Sequence, residues 1–198
     1  MGGNDGRKGG ERMTPYSPQN QLFSDEAHRC AQELIYPQLF QCKQANMTFE
    51  TASVADGGRS AVLDGEMGID KIINVQVATL RAPIVFTVQE RYRRIENNRY
   101  TDLTITEFNN ATGRAGELYK MAAGIFVYGF YDDRLCRFER WVAVDINKML
   151  HGIVTGKLRY KRGTNPRSKQ DFLGVEVADL FNTGCHLAGT NGHLWGIR

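Results

Sequence analysis

The sequence predicts an α/β fold in which a central mixed β-sheet is flanked by helices. Three observations lead there. The stretch SDEAHRCAQELIYPQLF repeats its apolar residues at helical spacing. Runs such as IVFTVQERYR, YTDLTITEF and GIFVYGFYDD are β-branched and aromatic, with turn residues between them. Further helical stretches interrupt those runs, and that alternation builds a sheet with helices packed on it. With 198 residues, the chain suits one domain with a sizeable core.

Taken in order, residues 1–22 (MGGNDGRKGGERMTPYSPQNQL) are rich in Gly, Asn, Pro and charge and read as a disordered arm. Residues 23–198 then form a single domain. Ser24 is placed to cap the first helix, whose apolar face is Ala27, Cys30, Ala31, Leu34 and Ile35, and Pro37 ends or kinks it. FETASVADGGRSAVLDGEMGIDKIINVQV alternates short β-prone pieces with Asp-Gly and Gly-Gly turns. IVFTVQERYR and YTDLTITEF are two more strands joined around Glu96-Asn97-Asn98. GRAGELYKMAAG has helical spacing in Leu118, Met121 and Ala122. GIFVYGFYDD and CRFERWVAVD form a hairpin, INKMLHGI a short helix, and DFLGVEVADLF an irregular or mixed element. The expected order is helix, three strands, helix, two strands, helix.

Composition removes several classes of function. The net charge of +3 announces no nucleic-acid partner by itself. Local clustering is stronger: GKLRYKRGTNPRSK holds Lys157, Arg159, Lys161, Arg162, Arg167 and Lys169 with no acid, a loop for phosphates or for solvent. Cys30, Cys42, Cys136 and Cys185 form no CxxC or Cys/His cluster, so a zinc site is not expected and free thiols fit a reducing cytosol. No apolar run reaches the roughly 20 residues of a membrane span, and the N-terminus carries no apolar leader core. The expectation is a cytoplasmic protein with no membrane partner. The four histidines show no HxH or HExxH spacing, and no GxSxG, P-loop or GxGxxG accompanies a strand-to-helix turn.

One stretch concentrates chemistry: GIDKIINVQVATLRAPIVFTVQERYRR, residues 68–94. Strand parity puts Ile84, Phe86, Val88 and Glu90 on one face, and Val85, Thr87, Gln89, Arg91 and Arg93 on the other. Asp70 opens the preceding apolar strand, so a hairpin brings it near residues 89–91. Asp70, a hairpin, and then Gln89-x-Arg91 resembles the PD-(D/E)XK nuclease superfamily. There an aspartate at a strand start precedes Glu-x-Lys, or in some members Gln-x-Lys, on the adjoining strand. The likeness spans about residues 24–131 and implies a restriction-endonuclease-like core.

The resemblance implies a DNA phosphodiesterase using Mg²⁺ or Mn²⁺. Asp70 would be the main metal ligand and Gln89 the second, through its amide oxygen. Arg91 would stand where the family has lysine. That is a departure, because arginine stays protonated and is a poor general base. Two repairs are open: Glu90 as the carboxylate ligand if a bulge shifts the parity, and Lys120 on the following helix as a migrated lysine. Asp64 or Glu66 could add a carboxylate, although Asp64-Gly65 also reads as an ordinary turn. Glu26 or Glu33 could face the site from the first helix or be solvated helix acids. Arg91, Arg93, Arg94 and Arg99, interleaved with Tyr92 and Tyr100, together with Lys161 and Arg162, would grip nucleic acid. The resemblance also admits a homodimer, whose interface nothing in the sequence identifies. Against the nuclease stand an inactive nucleic-acid-binding module and an α/β interaction protein whose polar strand ends are merely solvated.

Overall fold

In a computed structural model of the protein, the described residues are 18–166 and 168–195. The expected N-terminal arm lies outside them over residues 1–17, as does Arg167 of the basic segment. The first helix, α1 (Pro18–Leu34), includes residues 18–22, and Ser24 falls inside it and not at its cap. It breaks before α2 (Tyr36–Leu39), where Pro37 occupies the first turn, a position that loses no intrahelical hydrogen bond.

The remaining elements in chain order are β1 (Met47–Thr51), α3 (Gly58–Gly65), β2 (Lys71–Val75), β3 (Ile84–Arg94), β4 (Asp102–Asn109), β5 (Arg114–Ala115), β6 (Ile125–Asp132), β7 (Arg137–Asp145), α4 (Ile146–Val154), β8 (Tyr160–Asn165), β9 (Gln170–Glu176), α5 (Val177–Asn182) and β10 (His186–Gly189). Six strands form the central sheet in the order β1-β2-β3-β6-β7-β10. It is mixed: β3 and β6 run parallel, and its other neighbours are antiparallel. The α/β layer expectation is met.

Two apolar layers hold the sheet. On one side, α1 and α2 set Ala31, Ile35 and Tyr36 against Ile73, Val75, Val88, Val127, Trp141 and Ala143. The alanines on the inner face of α1 let its backbone approach the sheet. On the other side, Phe126, Tyr128, Phe130, Val142 and Val144 pack with Leu103, Ile105, Ile146, Met149, Val177 and Leu180. Strand β6 is buried from Ile125 to Tyr131 because both of its faces are covered.

Three further expectations are corrected. YTDLTITEF does not pair with the strand before it. Both edges of β3 are taken, by β2 and by β6, so β4 leaves after a single turn of 3₁₀ helix (Ile95–Asn97) and joins a second sheet, β5-β4-β9-β8. GRAGELYKMAAG is not an α-helix. It forms β5 and a 3₁₀ turn (Glu117–Tyr119), because β5 pairs with β4 and draws Gly116 onto the backbone of Thr106, where a Cβ would lie 2.4 Å from the carbonyl oxygen. The basic segment, read as a loop, supplies edge strand β8.

Candidate functional site

The β2–β3 ladder pairs Lys71 with Val88 and runs to Val75 and Ile84 without a shift. One step beyond it, Asp70 stands opposite Gln89, and its N–H donates to the Val88 carbonyl at 2.9 Å. The two side chains therefore share a face. Gln89 Nε2 donates to Asp70 Oδ2 at 2.9 Å, and the Glu90 backbone N–H donates to the same oxygen at 2.6 Å. Gln89 Oε1 is buried and has no hydrogen-bond partner. Gly68, at φ +57°, makes room for it: a Cβ there would come within 3.1 Å of Oε1.

Burial pushes the Asp70 carboxyl up to about 7; the Glu90 N–H opposes this, while the Glu90 and Asp64 charges reinforce it. A carboxylate short of positive charge and an unused amide oxygen thus lie side by side. Two residues along the same face comes Arg91, whose guanidinium donates to the Thr104 carbonyl (3.2 Å), Thr106 Oγ1 (3.0 Å) and Glu117 Oε1 (2.5 Å). Arg93 follows, donating to Thr104 Oγ1 while its Nε stays buried and unpartnered.

Glu90 points the other way, beneath α1. Its oxygens accept from the Tyr36 and Tyr92 hydroxyls and pair with His28 and, at 3.6 Å, Lys71 Nζ. Burial works against the Glu90 charge, but His28 and Lys71 outweigh it and hold the carboxyl below the usual range. Burial likewise lowers His28, and Glu90 outweighs that and raises it. The β3 pairing shows no bulge, so Glu90 cannot be turned towards Asp70 by one.

Of the other candidates, Asp64 lies close enough for its charge to act on Asp70 and the Lys120 backbone lies beside Gly68, but their side chains have partners of their own. Lys120 Nζ donates to the Gly65 carbonyl at 2.8 Å from an irregular segment. Asp64 ends α3 instead of making a turn, and its Oδ2 accepts the Val54 N–H at 2.9 Å; Glu66 is exposed. Glu33 is exposed and pairs with Arg29 at 3.2 Å. Glu26 lies near Cys136 and the groove at Arg94. Neither helix glutamate sits at Asp70; from α1 it is His28 whose charge reaches that carboxyl.

Of the expected nucleic-acid contacts, Tyr92 is packed against His28 and Phe138. Arg94 pairs with Asp133 at 2.9 Å and lies over the Phe23 ring. Arg99 is exposed and donates to the Tyr100 hydroxyl. Lys161 and Arg162 are exposed but paired with Glu176 (2.8 Å) and Glu107 (2.9 Å). Arg91 and Arg93 instead enter a cleft of about 590 Å³ between the far half of β3 and β6 and the second sheet.

The sequence reading missed His28, Tyr36, Lys71 and Glu117. His28 had a signal: with Ala31 and Ile35 it falls at helical spacing on the buried face of α1. Glu117 had none, since its meeting with Arg91 depends on β4 leaving the central sheet.

No family model matches the chain, and no curated protein matches it. Among solved structures, it is similar to D212, a nuclease from a fusselovirus, with a TM-score of 0.30 and 9% identity over 70% of this chain and 75% of that one. A likeness of that size decides neither fold family nor activity. Among the described residues, no helix is long and apolar enough to cross a membrane.

Proposed function

We propose that the chain is a metal-dependent nuclease that hydrolyses DNA phosphodiesters at Asp70, Gln89 and Arg91, on a restriction-endonuclease-like core. The observation that carries the reading is the shared face: Asp70 and Gln89 are bonded at 2.9 Å, and Arg91 follows on the same side of β3. The choice of DNA, and of that core, rests on the resemblance to the PD-(D/E)XK superfamily.

The residues fit Mg²⁺ or Mn²⁺ as a sparse site. Mg²⁺ takes oxygen donors and keeps several waters, so one or two protein ligands suffice. Asp70 offers a carboxylate that burial leaves in need of positive charge, and Gln89 offers a buried oxygen with no partner. Bound there, the cation would acidify a water and polarise the phosphate. The Glu90 N–H and the β2–β3 ladder fix the Asp70 carboxylate. Arg91, oriented by Thr104, Thr106 and Glu117, sits to neutralise charge gathering on phosphate oxygens. It takes no proton, because a guanidinium stays charged.

The test is cleavage of plasmid and single-stranded DNA in Mg²⁺ or Mn²⁺ by wild type and by Asp70→Asn. The reading expects a loss of about 100-fold or more in the variant; equal rates would remove Asp70 from the reaction. A second reading, a binding module without cleavage, is favoured by two observations. Arg91 is already ion-paired with Glu117, and among the described residues no group of three His, Cys, Asp or Glu side chains could hold a metal. That module would retain DNA in a salt-sensitive way and leave it intact.

A further inference from the structure

The cleft beside Arg91 is larger than a phosphate needs. Its volume of about 590 Å³ lies within the range of roughly 300–1,000 Å³ common for small-ligand sites. Phe172 and Tyr100 present ring surface to it, while Tyr128 and Phe130 lie buried in its floor. Tyr128 and Phe130 come from β6, Phe172 from β9, and Tyr100 from the segment before β4. The Phe172 ring has its place because β8 carries Gly163 opposite it, where a Cβ would fall within 2.6 Å of the ring. Hydrogen-bonding groups accompany the rings: Asn97, Gln170 and the carboxyl of Asp102 also line the cleft. Arg93 reaches it with a buried Nε that nothing in the fold uses.

We propose that this cleft holds one unpaired nucleobase, stacked against Phe172 and Tyr100, with the attached phosphate on Arg91 and Arg93. The ligand class is therefore single-stranded nucleic acid, or an end or extruded base, and not intact duplex. Stacking on aromatic rings accepts any base. The carboxyl and the amides supply acceptors and donors for the polar edge of a base, as in sites that read a base taken out of the helix. A cavity of this volume has no room for a base pair with both its backbones. Two residues along a strand advance about 7 Å, so Arg91 in the cleft and Gln89 beside Asp70 are successive steps on one face. On the nuclease reading, on which this last point rests, the phosphodiester next to the seated base is the one presented to Asp70.

Binding is tested by fluorescence anisotropy in EDTA, with the full chain and three labelled probes: a single-stranded oligonucleotide, its blunt duplex, and the same single strand with abasic sites. The intact single strand is expected to bind at least about tenfold more tightly than the duplex. Removing the bases, or the rings in Tyr100→Ala and Phe172→Ala, is expected to weaken binding by about 5- to 100-fold. Tyr100 is 47% exposed, so its variant keeps the test open if Phe172→Ala does not fold. Equal affinity for abasic and intact strands, a preference for duplex, or no binding to any probe overturns the proposal. Base-dependent single-strand binding without any cleavage in Mg²⁺ would refute the nuclease reading and support the cleft assignment.

Discussion

The two faces of β3 carry similar chemical groups in opposite states. Beneath α1, the Glu90 carboxylate has two hydroxyls, an imidazole and an ammonium as partners, and the group is fully enclosed. On the other face, Asp70 has an amide and a backbone N–H but rises to about 7, Gln89 Oε1 has no partner, and neither does Arg93 Nε. Buried polar groups are normally satisfied, because leaving one unpaired costs about 1–3 kcal/mol. One face has been closed for stability, and the other retains unmet demand along a line that leads into a cleft. A charged residue on the sheet is thus no guide to function until its face is known.

The largest effect that would break this contrast is on the closed side. Glu90→Ala leaves Lys71 buried, and His28 partly buried, without their counter-charge, and stability should fall by about 3–5 kcal/mol, measured by urea unfolding. If Glu90→Ala unfolds like wild type, the closed network is not structural.

Asp70 should behave in the reverse way. Its carboxyl is raised from 3.8 to about 7, so between those values the unfolded chain ionises first and stability declines as pH rises. Asp70→Asn escapes this penalty. In EDTA at pH 8, it should be more stable than wild type by something on the order of 1–2 kcal/mol, with the gain vanishing towards pH 4. A variant less stable at both pH values would mean that Asp70 is held by charge partners after all.

His28 and Glu90 define a window from the directions of their shifts. The raised imidazole contributes stability below its ordinary 6.5, lost as pH climbs through its folded value. The lowered carboxyl contributes above its ordinary 4.5, lost as pH falls through its folded value. The wild-type advantage over His28→Gln should be largest between those ordinary values, on the order of 1–2 kcal/mol, and shrink in alkali. A pH-independent difference would show that His28 contributes packing alone.

The smallest effects belong to the exposed arginines. Arg162→Ala should change stability by no more than about 0.5 kcal/mol, as surface pairs do. If β8 meets phosphates, the same substitution lowers the salt slope of DNA binding by about 1. An unchanged slope would confine contact to the cleft side.

These contrasts bear on what could be read from the chain itself. The parity of IVFTVQERYR separated Gln89 and Arg91 from Glu90, since side chains alternate on any strand and no bulge intervenes. The layer class followed from periodicity for the same kind of local reason. Long-range facts were hidden. That β6, and not β4, lies beside β3 depends on which edges are free, and nothing in YTDLTITEF announces it. With β4 misplaced, the second sheet, the Arg91–Glu117 pair and the aromatic cleft were all out of reach. His28 lacks metal-ligand spacing, and its place on the apolar face of α1 marks it instead as a partner for an acid on the sheet beneath.

The contrast between the two faces is tested most directly by one assay: Mg²⁺-dependent cleavage of labelled single-stranded DNA by wild type, Asp70→Asn and Glu90→Gln, each first shown to be folded by circular dichroism. Asp70→Asn should lose about 100-fold or more of the rate while keeping its fold. Folded Glu90→Gln should cleave within a few-fold of wild type, because its carboxylate lies on the closed face of β3 beneath α1. Wild-type cleavage by Asp70→Asn, or a loss confined to Glu90→Gln, would contradict the assignment of chemistry to the open face.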